Sequence, residues 1–215
     1  MRFGRDAVAS GVDSIAIGSD TKATEIYSVA IGNDIKYIGK SATAVGQQAY
    51  ATGDNSTAIG AYAGSWGLAS TAVGGFSKAE GKMATAIGYN SQANVDYGTA
   101  LGDYSEVKAG WGVAIGASSV ADREAGVIGA FAPEGADSLT WRANGGAVSV
   151  GSDTLTRQIT NVAAGTEDTD AVNVAQLKKV SDNANAGWNL ATNGVATEAT
   201  NVKPGDYVDF SGDKN

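Results

Sequence analysis

The chain has 215 residues, a formal net charge of −8 and a sequence pI near 4.5. It holds no cysteine and no histidine, which excludes disulfides, thiolate metal sites and histidine-based proton or metal chemistry. The acidic balance and the lack of a basic stripe with interleaved aromatics argue against nucleic acid, and no apolar run is long enough to cross a bilayer as a helix.

Residues 1–130 are expected to form a repeat array. Gly18, Gly32, Gly46, Gly60, Gly74, Gly88, Gly102 and Gly116 fall fourteen residues apart. Each follows an alanine and one aliphatic residue, the latter being Ile17, Ile31, Val45, Ile59, Val73, Ile87, Leu101 and Ile115 in turn. A period this strict identifies stacked units, each burying its apolar side against its neighbours. The opening Met1-Arg2-Phe3-Gly4 enters mid-repeat with no signal peptide, so the chain reads as a piece of a longer one.

A second glycine register, Gly39, Gly53, Gly67 and Gly81, divides each turn and predicts two strands of about five residues. Glycine at this density disfavours helix. The expected geometry is a flattened parallel coil with about 4.8 Å between turns, so that eight or nine turns make a rod about 40 Å long. Side chains alternate along a strand. The repeated alanine therefore fills a thin interior, while the residues on either side of it point outward. That outer column is Ile15, Val29, Thr43, Thr57, Thr71, Thr85, Thr99 and Val113 on one side and the aliphatics above on the other. Burying each aliphatic side chain is worth about 1.5–3 kcal/mol, and so long an apolar stripe is too large for a soluble monomer. It predicts association.

Beyond Gly116 the spacing slips, with Ile128-Gly129 next, and Phe131-Ala132-Pro133-Glu134-Gly135 breaks the array. Within residues 131–156, the runs 138–142 and 147–150 read as strands joined by an Asn144-Gly145-Gly146 turn. Residues 157–173 lead through a loop at 163–166 to Thr169-Asp170, read as a helix N-cap. Ala171 to about Ala186 reads as helix. Val174, Leu177, Val180 and Ala184 share one face, a narrow seam that fits a short coiled coil over 174–186. Gly187 ends it, and residues 187–215 return to turn and strand signals.

Two stretches resemble a known family. The Ser-x-Ala-Ile-Gly units, such as Ser56-Thr57-Ala58-Ile59-Gly60, resemble the head of YadA-like trimeric autotransporter adhesins. Residues 157–179, Arg157-Gln158-Ile159-Thr160-Asn161-Val162 onward to Lys179, resemble that family's neck. Gly187-Trp188-Asn189-Leu190 and Asn201 to Asp206 are similar to a Trp-ring-type connector. The resemblance implies a mainly β fold: a left-handed parallel β-roll of 14-residue turns, homotrimeric, followed by a neck and a short three-stranded coiled coil. Ile17, Ile31, Val45, Ile59, Val73, Ile87, Leu101, Ile115, Val174, Leu177 and Trp188 would then line the trimer core. It further implies an exported passenger at the bacterial cell surface, held in the outer membrane by a C-terminal barrel that this sequence lacks. Expected partners are host extracellular matrix proteins (collagen, fibronectin or laminin) or sister cells, with autoaggregation or biofilm as related outcomes. No cofactor, metal or catalytic residue is expected.

Several features carry two readings. The threonine column fits either an ice-binding ladder or methyl packing between subunits. Glu167, Asp168 and Asp170 fit either a cation site or compensation of the helix N-terminus, and the ligand spacing of a calcium loop is missing. Tyr62, Phe76 and Tyr104, two residues after their glycines, fit an outward patch for matrix protein or glycan, or wedges between subunits. Trp66 and Trp111 are similar candidates. Asn55-Ser56-Thr57 matches a glycosylation sequon or a plain turn. Three functions compete: an adhesin, a structural spacer displaying binding domains elsewhere, and an acyltransferase. The last uses hexapeptide repeats and a histidine base, and neither is present.

Overall fold

The computed structural model describes residues 1–191, 196 and 199–209. The chain divides into two units, Met1–Gln158 and Ile159–Asn215.

The first unit is a parallel β-solenoid. Successive turns pair in register fourteen residues apart: Thr57 opposes Thr71, Ala58 opposes Ala72 and Ile59 opposes Val73. Repeating this pairing builds a ten-stranded sheet on one side of the coil. A six-stranded sheet runs back to back with it, from Tyr50–Ala51 to Val120–Ala121. Between them lies an interior of very small side chains. Ala16, Ala30, Ala44, Ala58, Ala72, Ala86, Ala100 and Ala114 are all wholly inaccessible. From the other sheet come Ala51, Ser65, Ala79, Ala93 and Val107, equally closed to solvent. Two sheets normally stand about 10 Å apart, and the alanine column of the large sheet, facing mostly Ala and Ser from the other, fits a thin layer.

Most strands are two or three residues long, with Val29–Asn33 and Thr43–Gln47 longer. This corrects the expectation of about five residues per strand. The reason lies at the corners. A residue with positive φ recurs every seventh position, from Asp6, Asp13, Asp20 and Tyr27 through Tyr104, Trp111 and Ser118. Each fourteen-residue turn therefore has two corners, and the extended stretches between them are short. The third residue of each corner turn takes the left-handed conformation, and the next amide closes back on the first carbonyl. Ala63 N donates to Gly60 O at 3.3 Å and Ser70 N to Gly67 O at 3.2 Å. Corner serines add their hydroxyls: Ser70 Oγ donates to Gly67 O at 2.7 Å and Ser105 Oγ to Gly102 O at 2.7 Å. Glycine is needed at Gly60 because its φ is +135° and a Cβ would meet the Gly74 carbonyl oxygen at 2.5 Å.

Residues after Val120–Ala121 leave the coil and return to it. Val148–Ser149 pairs in parallel with Val113–Ile115, adding the last strand of the large sheet. The hairpin expected between 138–142 and 147–150 does not form. Arg142 instead bridges Ile128 in antiparallel fashion, with Gly126 N donating to Ala143 O and Gly129 N to Trp141 O, both at 2.7 Å. The Asn144-Gly145-Gly146 segment brings the chain back onto the coil, where Gly146 N donates to Gly110 O at 3.0 Å. A Cβ on Gly146 would lie 2.5 Å from that carbonyl, so side-chain-free backbone is what lets the return close.

In the second unit the helix spans Val174–Asn185. It starts later than expected, and its N-cap is Asn173 rather than Thr169-Asp170. Gln176 N donates to Asn173 Oδ1 at 3.1 Å, and Asn173 N donates to Gln176 Oε1 at 3.2 Å, a reciprocal capping box. The same side chains hold the preceding segment: Asn173 Nδ2 reaches Val162 O and Gln176 Nε2 reaches Gly165 O. Gly187, at φ +74°, follows the C-cap. Trp188–Leu190 then pairs antiparallel with Thr200–Val202. A turn follows at 203–206, where Asp206 N donates to Lys203 O at 3.0 Å and Lys203 N to Asp206 Oδ2 at 2.7 Å. Residues 192–195, 197–198 and 210–215 of the expected 187–215 connector lie outside the described residues.

Candidate interaction surface

The ten-stranded sheet presents its two β-branched and aliphatic columns to the outside. Ile59, Ile87 and Ile115 are 40%, 42% and 44% exposed, and Ile17, Ile31, Val45, Val73 and Leu101 are half-buried. Register keeps like over like, with Ile15 beside Val29, and Thr57 between Thr43 and Thr71. The result is one continuous apolar ribbon along the coil. In the helical unit Val174, Leu177 and Val180 stand 62–69% exposed and no helix residue is buried, and Trp188 is 54% exposed.

The five aromatic candidates fall in three separate places. Tyr62 and Phe76 stack at 5.0 Å with an interplanar angle of 11°. The row continues through Tyr89, edge-on to Phe76 at 5.8 Å and to Tyr104 at 5.5 Å. Tyr89 escapes sequence reading because it sits one residue after its glycine, out of the column that Asn90 occupies. Trp111 lies at the other corner and stacks on Tyr97 at 4.1 Å and 14°. Tyr97 occupies the same corner phase as Trp111, fourteen residues earlier. Trp66 follows the Gly64–Ser65 strand of the six-stranded sheet, where Tyr50 is the register partner of Gly64. Tyr62, Phe76, Tyr97, Tyr104 and Trp111 all have positive φ, a conformation that costs a bulky residue free energy and persists only where surroundings enforce it. Here the two flanking strands and the closing amide enforce it.

Charges across the surface tie coil to coil. Asp103 Oδ1 accepts from Tyr89 N at 2.9 Å and Asp96 Oδ1 from Lys82 N at 2.8 Å, each fourteen residues back. Lys36 Nζ lies 2.9 Å from Asp34 Oδ1, and Gln48 Nε2 donates to Asp34 Oδ2 at 2.7 Å. The lysine hydrogen bond, followed by that of Gln48, lowers the Asp34 pKa, and the same carboxylate raises that of Lys36. In the second unit the Asp170 carboxylate accepts from Thr166 N at 2.8 Å, Glu167 N at 3.1 Å and Thr166 Oγ1 at 3.2 Å. The backbone bonds from Thr166 and Glu167 lower its pKa. Asp170 thus closes a local turn and does not cap the helix. Among the described residues no cluster of three or more acidic side chains is placed to hold a metal ion.

A stacked coil with an apolar ribbon on one sheet and varied polar and aromatic residues on its corners and its other sheet defines a repeat scaffold built for surface contact. A family model for the YadA head domain repeat matches residues 9–34, 38–63 and 79–105. One for the coiled stalk of trimeric autotransporter adhesin matches residues 158–200. The autotransporter adhesin BadA of Bartonella henselae is 48% identical over 106 residues, covering 45% of this chain and 3% of that protein. The autotransporter adhesin BtaE of Brucella suis biovar 1 (strain 1330) is 51% identical over 67 residues, 30% of this chain and 9% of that protein. The chain thus spans a small fraction of the length of these relatives. The crystal structure of the collagen-binding domain of the Yersinia adhesin YadA superposes with a TM-score of 0.51 at 34% identity, covering 82% of this chain and 87% of that one. The chain belongs to the YadA-like trimeric autotransporter adhesins.

Proposed function

We propose that this chain is the head, the neck, a short coiled coil and the start of a connector of a bacterial surface adhesin that works as a homotrimer. The observation that carries this is the apolar ribbon on the ten-stranded sheet. Ile17, Ile31, Val45, Ile59, Val73, Ile87, Leu101 and Ile115 pack against the same ribbon on two further copies, and Val174, Leu177 and Trp188 meet their own counterparts in the second unit. Sixteen side chains in two columns per subunit, buried at about 25 cal/mol per Å², give such an assembly ample driving force.

The corners, with Tyr62, Phe76 and Tyr104 on one and Trp111 on the other, and the six-stranded sheet with Trp66 face partners. Those partners are host matrix proteins such as collagen, fibronectin or laminin, or sister cells in autoaggregation and biofilm. The YadA collagen-binding domain supports the matrix reading by its likeness in fold and sequence. Repeated shallow contacts along a rigid rod act by avidity rather than by one deep site, and the chain has no histidine to serve as a general base. Display at the bacterial cell surface goes with this reading.

A solid-phase assay of the purified oligomer against collagen, fibronectin and laminin tests the reading. Saturable binding to one of them is the expected result. An intact trimer that binds none would make the chain a spacer whose binding domains lie elsewhere.

A further inference from the structure

We infer that Trp66 is a stacking platform for a hexopyranose ring, so that a glycan is one partner of this surface. The inference rests on the adhesin reading only in requiring a partner from outside.

Gly64 lies in the six-stranded sheet with Tyr50 and Lys78 as its register partners. Other strands of that sheet carry Gln92 and Glu106 in this column. Ser65, Ala51 and Ala79 are wholly buried in the interior, so alternation turns Gly64 and Trp66 to the outside. Trp66 uses the space that glycine leaves. Its Cη2, Cζ2 and Cζ3 atoms are the ones a Cβ on Gly64 would strike, and all three stand at nearly the same distance from that point. Near-equal distances to three bonded ring atoms are those of a ring lying face-on. The indole is therefore laid flat on the sheet, one face against the Gly64 backbone and the other toward solvent, with the residue 41% exposed.

Covering a glycine accounts for the inner face. Among the described residues no aromatic ring stacks on the outer face, and it lies on the sheet opposite the apolar ribbon, away from the proposed subunit contact. Around it the solenoid supplies a polar frame. Thr52 and Glu80 flank Trp66 in its own column, and Tyr50 and Lys78 flank Gly64, each about 4.8 Å away along the coil. A hydroxyl, a carboxylate, a phenol and an ammonium thus surround one apolar plate.

A pyranose has the matching chemistry. Its axial C–H face carries slight positive charge and is attracted to the negative face of an aromatic ring. Its equatorial hydroxyls both donate and accept, which the ammonium of Lys78 and the carboxylate of Glu80 complement. A proline-type ring offers the apolar face without the hydroxyl rim, and would desolvate those charged groups without return.

The test uses the oligomeric protein labelled with 5-fluorotryptophan, whose four tryptophans give resonances assignable by single Trp→Phe variants. Methyl glycosides and short oligosaccharides of glucose, galactose, mannose and N-acetylglucosamine are titrated, alongside a proline-rich collagen-like peptide. At least one sugar is expected to shift the Trp66 signal saturably while leaving that of Trp111 in place. Trp66→Ala is expected to weaken its calorimetric affinity by about tenfold or more. Gly64→Val, which keeps the indole but lifts it from the sheet, is expected to weaken binding too. If no sugar moves the Trp66 signal selectively, or if only the peptide does, the proposal fails. Matrix-protein binding that persists under that outcome leaves the adhesin reading standing, whereas loss of both removes it.

Discussion

Arg157 reaches across the last coil to Ser119: its Nη1 donates to Ser119 Oγ at 3.0 Å and to Val150 O, while Nη2 donates to Ala117 O at 2.6 Å. The final turn of a solenoid has no following coil to accept or donate its backbone hydrogen bonds, and an open edge invites pairing with another chain. One guanidinium here satisfies two carbonyls and a hydroxyl in the geometry that its planar fork favours. Terminal caps are what repeat stacks require.

Arg157→Ala is therefore expected to loosen the end of the coil and leave the rest in place. Hydrogen bonds to charged donors contribute about 1.5–3 kcal/mol when buried, and exposure of this site brings the expected loss to about 1–2 kcal/mol. Hydrogen exchange should show faster amides at Val113 and Val120 with unchanged protection at Thr57 and Thr71. Equal loosening along the whole array would show that Arg157 is not a local cap.

The apolar ribbon makes a sharper prediction for the assembly. Ile59→Asp combined with Ile87→Asp places six carboxylates in the packed axis of a trimer, and unpaired buried charge is strongly unfavourable. Sedimentation velocity should then report single chains that still show β circular dichroism. An undiminished oligomer would mean that another face makes the contact.

The interior should tolerate no growth. Ala86 is fully buried between Ala72 and Ala100. Ala86→Leu adds three carbons to a layer with no room for them, and overpacking of this kind costs about 1–3 kcal/mol or more. A fall in melting temperature is expected, larger than for Thr85→Ala on the outer face of the same strand. The reverse order would place Thr85 inside the coil.

Asp170 sets a pH dependence in the second unit. Hydrogen bonds from Thr166 and Glu167 lower its folded pKa, so the unfolded chain binds a proton at higher pH than the folded one does. The sign follows: the contribution is fully present above the ordinary carboxylate value near 4 and is lost as pH falls through the lower folded value. Exchange of the Thr166 and Glu167 amides should accelerate across that acid window. Asp170→Asn should make their exchange, corrected for its intrinsic rate, insensitive to it. Amides that stay protected at the lowest pH would assign the turn to other contacts.

Much of the fold is legible before any coordinates. Ala58 and Ile59 recur in phase because each coil meets the next in the same register, so a period in sequence is a spatial column. Alanine at the same place in every repeat, with Ile, Val or Leu one position further along an alternating strand, states which side is closed. The capping of the helix is less legible. Thr169-Asp170 and Asn173 both satisfy the local preference for an N-cap, and composition alone cannot rank them. Asn173 prevails because Val162 and Gly165 come back to bond its side chain and that of Gln176, while Asp170 is already held by Thr166.

The corners show the same division. Glycine spacing marks them, yet bulky Tyr62, Phe76 and Trp111 adopt left-handed backbone that intrinsic preference discourages. Flanking strands dictate that geometry, and strands are a property of the stack.

By itself, then, the order of residues determined the period, the alanine interior, the outward aliphatic columns and the family, because nearest-neighbour stacking makes local pattern and global fold the same thing. Only the tertiary structure decided that Tyr89 joins the row of Tyr62, Phe76 and Tyr104, that the 122–147 excursion returns its strand to the large sheet, and that Trp66 lies flat over Gly64. Each of these depends on how side chains from different turns share space, and that competition for volume is settled only when the coil is closed.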